Sequence, residues 1–287
     1  MTIATGVLLA LIALVGWGFG DFLIQRTTRL VGSAKALFFI GFVAFVVLTP
    51  FVLTELPGLT GDNFVLLAFL SLMVIIGAAF DFEALRQGKI AVIEPVVGLE
   101  LPLTVAISVL FIGEQITNTQ LFLMILVFAG TLFAVTRDTK HLSRVLEKGV
   151  LLAIFAAIGT ALTSVTVGVS SQEISPLVAI WFSHGTLAVV SLVVVIASGH
   201  VRSIPKDLKK HPVTIGAQSI LDNIAWLAFG FSATLIPIAI ATTISGGYVA
   251  LGVLLGLIVS REKVRPHQLF GIALVSLGII VLSYFHA

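Results

Sequence analysis

Four carboxylates, Asp21, Glu94, Glu100 and Asp222, fall inside long apolar runs of this sequence. An ionisable side chain at membrane depth costs several kcal/mol and normally faces a cavity or a partner. Each is therefore a candidate for holding a cation or exchanging a proton. Glu100 lies about ten residues, roughly 15 Å, into its run, close to the middle of a spanning helix. It either binds substrate or accepts hydrogen bonds that hold helices together. Asp222 and Asn223 sit mid-run, with Trp226 one turn on. That indole could stack on an aromatic or cationic group, or simply pack against its surroundings. Asp21 follows Trp17 by four residues on one helix face and is also in reach of Gln25 or Arg26. His184, beside Trp181, can change charge near neutral pH or bridge helices by hydrogen bonding. Glu94 precedes Pro95, which frees a backbone carbonyl. It points about 240° away from Glu100 around an ideal helix, and Lys89 or Arg86 offers it a partner.

Other charged groups read as structural. Asp81, Glu83, Arg86 and Lys89 cluster at one helix boundary, where Glu83 and Arg86 have the spacing of an interfacial salt bridge. They could also gate a mouth. Glu114 and Glu262 start the last helix of each half, where negative charge favours the helix N-terminus. Several chemistries find no residues. There is no phosphate-binding GK[ST] loop, no H-E-x-x-H and no G-x-S-x-G elbow. The six histidines are scattered and cysteine is absent, so no metal site and no cofactor is expected.

The elements that must position these residues follow from composition. Hydrophobic residues make up 58% of the 287 and charged residues 10%, against about 25% charged in a soluble domain. Lipid must cover most of the outside. The first apolar run lacks a basic leader and a small-residue cleavage site, so it is expected to be retained. Spanning the hydrocarbon takes about 20 apolar residues. Such runs are predicted at 3–25, 34–54, 64–84, 90–112, 118–136, 149–169, 177–198, 213–231, 237–259 and 267–285. The connections leave no room for a soluble catalytic or nucleic-acid-binding module.

The chain repeats itself. Gly6-Val7-Leu8-Leu9-Ala10 with Gly16 recurs as Gly149-Val150-Leu151-Leu152-Ala153 with Gly159. Ala79-Phe80-Asp81-Phe82 recurs loosely as Ala228-Phe229-Gly230-Phe231. Glu114, Gln120-Leu121-Phe122 and Gly130 recur as Glu262, Gln268-Leu269-Phe270 and Gly278. The expected halves are residues 1–140 and 141–287. Five crossings per half force the second copy to enter from the opposite side, an inverted repeat of the kind common in secondary transporters. In the late part of each half Gly98 aligns with Gly246 and Glu100 with Tyr248. A Glu and a Tyr are thus expected to meet at the repeat interface. Gly246-Gly247 permits close approach or local unwinding. All sixteen Lys and Arg fall in loops on one side of this ten-span arrangement. The positive-inside rule makes that side cytoplasmic and both termini extracytoplasmic.

Trp17-Gly18-Phe19-Gly20, Ile93-Glu94-Pro95-Val96-Val97 and Leu110-Phe111-Ile112-Gly113-Glu114 resemble the drug/metabolite transporter superfamily, EamA type. So does the second-half stretch Ser260-Arg261-Glu262-Lys263-Val264, followed by Gln268-Leu269-Phe270-Gly271 and Gly278. The likeness covers essentially the whole chain. It implies ten helices in two repeats and transport of amino acids, amines, drugs or other metabolites. It also implies a cavity lined mostly by helices 1, 3, 4, 6, 8 and 9. The family is often drawn with cytoplasmic termini, which the basic residues here reverse.

The expected protein is an all-α integral membrane protein of the cell inner membrane and a secondary transporter by alternating access. Its substrate is a small polar metabolite, with an amine to meet the carboxylates. Protons are a candidate coupling ion, and export is favoured over uptake. Candidate substrate-binding residues are Trp17, Asp21, Glu94, Glu100, His184, Asp222, Asn223, Trp226 and Tyr248. No nucleic acid is expected as a partner. Gly130, Gly271 and Gly278 permit close packing of the last helix of each half, or a homodimer in place of a monomer. The weighed alternatives are an intramembrane enzyme using Glu and His, and a non-transporting receptor or scramblase.

Overall fold

The computed structural model describes residues 2–88, 93, 96–135, 149–260 and 265–284. Twelve α-helices occur among them. Helices α1 (Ile3–Val31), α2 (Ser33–Val52) and α3 (Gly61–Gln87) are followed by α4 (Glu100–Ile107), which runs into a π-turn at Ser108–Ile112. Next come α5 (Asn118–Val135), α6 (Val150–Glu173), α7 (Pro176–Ala197) and the short α8 (Ile204–Lys210). Helices α9 (Pro212–Ala233), α10 (Ile238–Ser245), α11 (Tyr248–Ser260) and α12 (Pro266–Tyr284) complete the chain. The boundary predicted between the halves, near 140, lies outside the described residues.

Local chemistry explains the ends. The Thr2 hydroxyl accepts from Thr5 N, and Thr60 forms a reciprocal capping box with Asn63. Pro176, Pro212 and Pro266 open helices, where the missing N–H costs nothing. Gly32, at φ 91°, makes the turn between α1 and α2. Helices α1, α3 and α6 run several residues past their predicted spans because charged and polar ends keep helical backbone beyond the hydrocarbon. Hydropathy measures the apolar stretch, not the helix.

Six helices (α1, α2, α3, α6, α7 and α12) are long and apolar enough to cross a membrane. Shorter apolar stretches cover Glu100–Ile112, Asn118–Ala134 and Ile238–Gly252. Helix α9 is as long as a spanning helix but carries Gln218, Ser219, Asp222 and Asn223 in its buried middle. The outer surface is apolar, with Phe42, Phe51, Phe111 and Phe122 all exposed. A face of that kind is stable only against lipid.

Two predicted spans are interrupted. The chain turns at Gly98 and Leu99 just before α4, and at Gly246 and Gly247 between α10 and α11. These breaks occupy equivalent positions in the two halves. Glu100 and Tyr248 are therefore the first residues of equivalent helical segments.

The largest helix interfaces all join one half to the other: α1 on α9, α3 on α6, α2 on α7 and α5 on α12. Exchanging the halves turns the α1·α9 pair into α6·α3 and returns the other two pairs to themselves. The close approaches obey the same exchange. A Cβ on Gly16 would lie 2.9 Å from Ala225 Cβ, and one on Gly159 would lie 2.6 Å from Gly77 Cα. Gly130, Gly271 and Gly278 serve the α5·α12 crossing within the chain, where Gln268 Nε2 also donates to Ala134 O at 3.2 Å.

The duplicated crossing makes a testable demand. Gly159→Val should destabilise the purified protein by roughly 1–3 kcal/mol through overpacking against Gly77. Gly61→Ala, where nothing lies within 4 Å, should leave the unfolding midpoint in detergent unchanged. Equal midpoints for both variants would contradict this packing.

Candidate functional site

Helices α1, α2, α3, α4, α6, α7, α9 and α11 surround a cavity with about 90 Å³ of space that water can occupy. Four carboxylates line it: Asp21 from α1, Asp81 from α3, Glu100 from α4 and Asp222 from α9. No Lys or Arg is among its described lining residues. An ammonium group in this space meets several carboxylates, in a medium where Coulomb interactions are weakly screened.

The helix break places the first pair. Glu100, 7% exposed, accepts a hydrogen bond from Tyr248 OH at 3.2 Å through Oε1. The sequence alignment of the halves anticipates this meeting. Its Oε2 is buried and has no hydrogen-bond partner among the described residues. Across the cavity, His184 Nε2 stands 3.7 Å from Asp222 Oδ2, while Ser183 Oγ lies 3.3 Å from His184 Nδ1. Asp81 lines the same cavity from α3. Asp81, Glu100 and Asp222 thus line one cavity, with His184 beside Asp222.

One wall is aromatic. Trp17 packs edge-on against Trp226, centroids 4.9 Å apart, and against Tyr248 at 6.0 Å. Buried Phe229 backs both indoles. The opposing helix α6 contributes Thr160, Thr163 and Ser164. Thr163 is 2% exposed, and its hydroxyl finds no hydrogen-bond partner among the described residues. Carboxylates, two indoles and the Thr163 hydroxyl thus line one cavity.

Seven of the residues anticipated from sequence line this cavity: Trp17, Asp21, Glu100, His184, Asp222, Trp226 and Tyr248. Asn223 does not. One residue after Asp222, it is rotated toward α2, and its amide donates to Ile40 O at 3.1 Å and Ser219 O at 2.7 Å. Glu94 lies outside the described residues. Trp181 is spent on packing, donating to Thr49 Oγ1 and stacking on Phe45.

Sequence reasoning left Asp81 in the boundary cluster with Glu83. The two point differently. Glu83 does pair with Arg86, and it accepts from Ser33 Oγ at 2.9 Å. Asp81 instead belongs to a stripe, Val74, Ala78, Asp81 and Leu85, all of which line the cavity. That helical spacing was the available signal. The set Thr160, Thr163 and Ser164 is a similar polar stripe in an otherwise apolar helix. Glu114 also differs from expectation. Its carboxylate accepts from Ile238 N and Ala239 N, capping α10 in the other half rather than its own α5.

A family model described as the EamA-like transporter family matches residues 4–136 and 147–284. A solved structure titled only "Crystal structure of protein" superposes with a TM-score of 0.71. It is 17% identical, over 98% of each chain; at that identity the likeness concerns the fold. No curated protein matches the sequence.

The structural role of Asn223 and the cavity role of Tyr248 should separate experimentally. Asn223→Leu removes two helix-to-backbone hydrogen bonds and should lower the unfolding midpoint, at a cost of about 1–3 kcal/mol. Tyr248→Phe strips Glu100 of its donor and should change ligand-induced stabilisation in a thermal-shift screen of amines. The same loss of stability and the same ligand response in both variants would contradict this division.

Proposed function

Since this chain belongs to the EamA-like transporter family, we propose that it is a secondary active transporter of a small amine-bearing metabolite. Membership makes it a multi-pass integral membrane transporter of the drug/metabolite type, with a small-molecule substrate and lipid around it. The family consists of transporters, which weighs against an intramembrane enzyme. The finer reading rests on one observation. Four carboxylates and an indole pair face one cavity that has no Lys or Arg among its described walls. Buried charge without a counter-charge is costly; a substrate ammonium or a proton offsets it.

The proposed architecture is ten crossings in two inverted five-helix repeats, divided near residue 140, with the basic loops cytoplasmic and both termini outside. Contacts between basic segments support it. Arg29 Nη2 donates to Gly88 O at 2.8 Å, and Lys35 forms an ion pair with Asp207 of α8. These interactions gather the end of α1, the start of α2, the end of α3 and α8 at one end of the molecule. Away from these basic segments, other bonds join elements of the protein. Ser232 Oγ donates to Gly6 O, Gln172 Nε2 to Ala233 O, and Glu114 caps α10. Leu37, Phe82 and Leu85 line the cavity and lie on the parts of α2 and α3 that carry the basic end. A cavity extending toward the cytoplasm suits loading from that side and export. Alternating access then consists of the paired halves exchanging which end is held shut. The substrate-binding set is Trp17, Asp21, Asp81, Glu100, His184, Asp222, Trp226 and Tyr248, with protons the proposed coupling ion.

In proteoliposomes, Glu100→Gln should lower amine counterflow by at least about tenfold and flatten its dependence on pH. Wild-type counterflow and pH dependence in that variant would overturn the coupled reading. The chain has no cysteine, so single Cys substitutions at Glu55 and Asp207 can report orientation. An impermeant maleimide should label the first from outside intact cells and the second only after lysis.

A further inference from the structure

We infer that the segment joining α7 to α9 is a docking surface for anionic phospholipid headgroups. The surface lies outside the cavity and is independent of what the cavity carries. A 3₁₀ turn at Val201–Ser203 runs directly into α8, and helical spacing divides this segment into three sides. Ser203 and Asp207 form the first. Lys35 Nζ, at the start of α2, donates to Ser203 Oγ at 2.9 Å and forms an ion pair with Asp207. Val201, Ile204 and Leu208 form the second, with Val201 and Leu208 exposed. Arg202, Lys206, Lys209 and Lys210 make up the third, and all four are exposed.

Charge and place select the occupant. Asp207 is the one acid between Ala197 and Pro212, and Lys35 already holds it. None of the four basic side chains has an ion-pair partner among the described residues. Helix α7 is long and apolar enough to cross the membrane and ends at Ala197. The segment that follows therefore lies where hydrocarbon gives way to headgroups. There an amphipathic segment sinks its apolar side into the acyl boundary and sets Lys and Arg among phosphates. Long aliphatic stems let those charges stay in the headgroup layer, where each adds to the attraction of anionic lipid. The other end of α2 offers a contrast. From Leu53 to Asp62 the chain carries Glu55 and Asp62 and no Lys or Arg. Lys35 also links the surface to the cavity wall, because Leu37 lies two residues on and lines the cavity. Ser33, in the same turn, donates to Glu83 of α3 at 2.9 Å. A headgroup-held α8 thus steadies the start of α2 against the end of α3.

The full chain, purified in detergent, is titrated with phosphatidylglycerol or with phosphatidylcholine of the same acyl chains. Lipid adducts are read by native mass spectrometry and the unfolding midpoint by tryptophan fluorescence. Wild type should bind phosphatidylglycerol at least about tenfold more tightly, and only that lipid should raise the midpoint. Replacing Arg202, Lys206, Lys209 and Lys210 together by Gln should bring the preference within about threefold. The midpoint in phosphatidylcholine should stay unchanged. Should that variant not fold, Lys209→Gln with Lys210→Gln alone should reduce the preference at least about threefold. Lys35→Gln should keep the preference and lose the rise in midpoint. Salt at about 1 M should remove the preference, since the screening length falls to about 3 Å. Equal affinity of wild type for the two lipids would overturn the inference, as would full preference in the four-Gln variant. An equal rise in midpoint with inorganic phosphate would show a site for soluble anions and overturn the lipid assignment. A rise that survived Lys35→Gln would overturn the link to α2. Amine counterflow is a separate readout, so the transport reading stands or falls independently.

Discussion

Carboxylates gathered from four helices into one cavity are the constraint that organises this molecule. Asp21, Asp81, Glu100 and Asp222 arrive from four helices, and no Lys or Arg is among the described walls of the cavity they share. Stability alone gives no reason to gather them. An apolar replacement avoids the desolvation penalty that each ion carries. On the proposed transport reading a visiting cation offsets that penalty, because low dielectric strengthens each attraction it forms. The aromatic wall and the unpaired Thr163 hydroxyl tell the same story from neutral groups. One offers an aromatic face, and the other has no hydrogen-bond partner among the described residues.

That cavity exists because the two halves pair across rather than within themselves. Each half contributes a helix to α1·α9, α3·α6, α2·α7 and α5·α12. A seam lined by small residues at Gly16, Gly77 and Gly159 brings the backbones together, as van der Waals packing requires where lipid removes the usual hydrophobic drive. Interrupted helices complete the site. A break at Gly98–Leu99 and its counterpart at Gly246–Gly247 set Glu100 and Tyr248 at the starts of segments that face each other. Irregular backbone at this depth is tolerable only where protein or a cavity surrounds it. Polar ties at separate places hold the assembly. Lys35 meets Asp207 near the basic segments, and Glu114 reaches across the halves to the backbone of α10.

Much of this was legible in the sequence. The helical membrane class followed from 10% charge and apolar runs, because lipid leaves the backbone few other ways to satisfy its hydrogen bonds. The duplication was legible as well. It carried a residue-level consequence, since aligning the copies paired Glu100 with Tyr248, whose side chains hydrogen-bond at 3.2 Å. Symmetry makes a long-range contact readable from a one-dimensional comparison.

Tertiary structure decided what direction along and around a helix conceals. Asp222 enters the cavity while Asn223 turns to the backbone of α2, a difference of one residue and about 100°. Asp81 was read with the boundary charges because its run of apolar residues was expected to end near it. Helix α3 continues to Gln87, and packing against α6 aims Asp81 inward and leaves Glu83 to Arg86. Glu114 caps a helix of the opposite half that only the fold brings within reach. The sequence by itself determined that carboxylates would lie in hydrocarbon, since composition sets the solvent each segment must accept. Which of them share one space was settled by the crossing of helices, because a side chain's surroundings depend on what packs against its face.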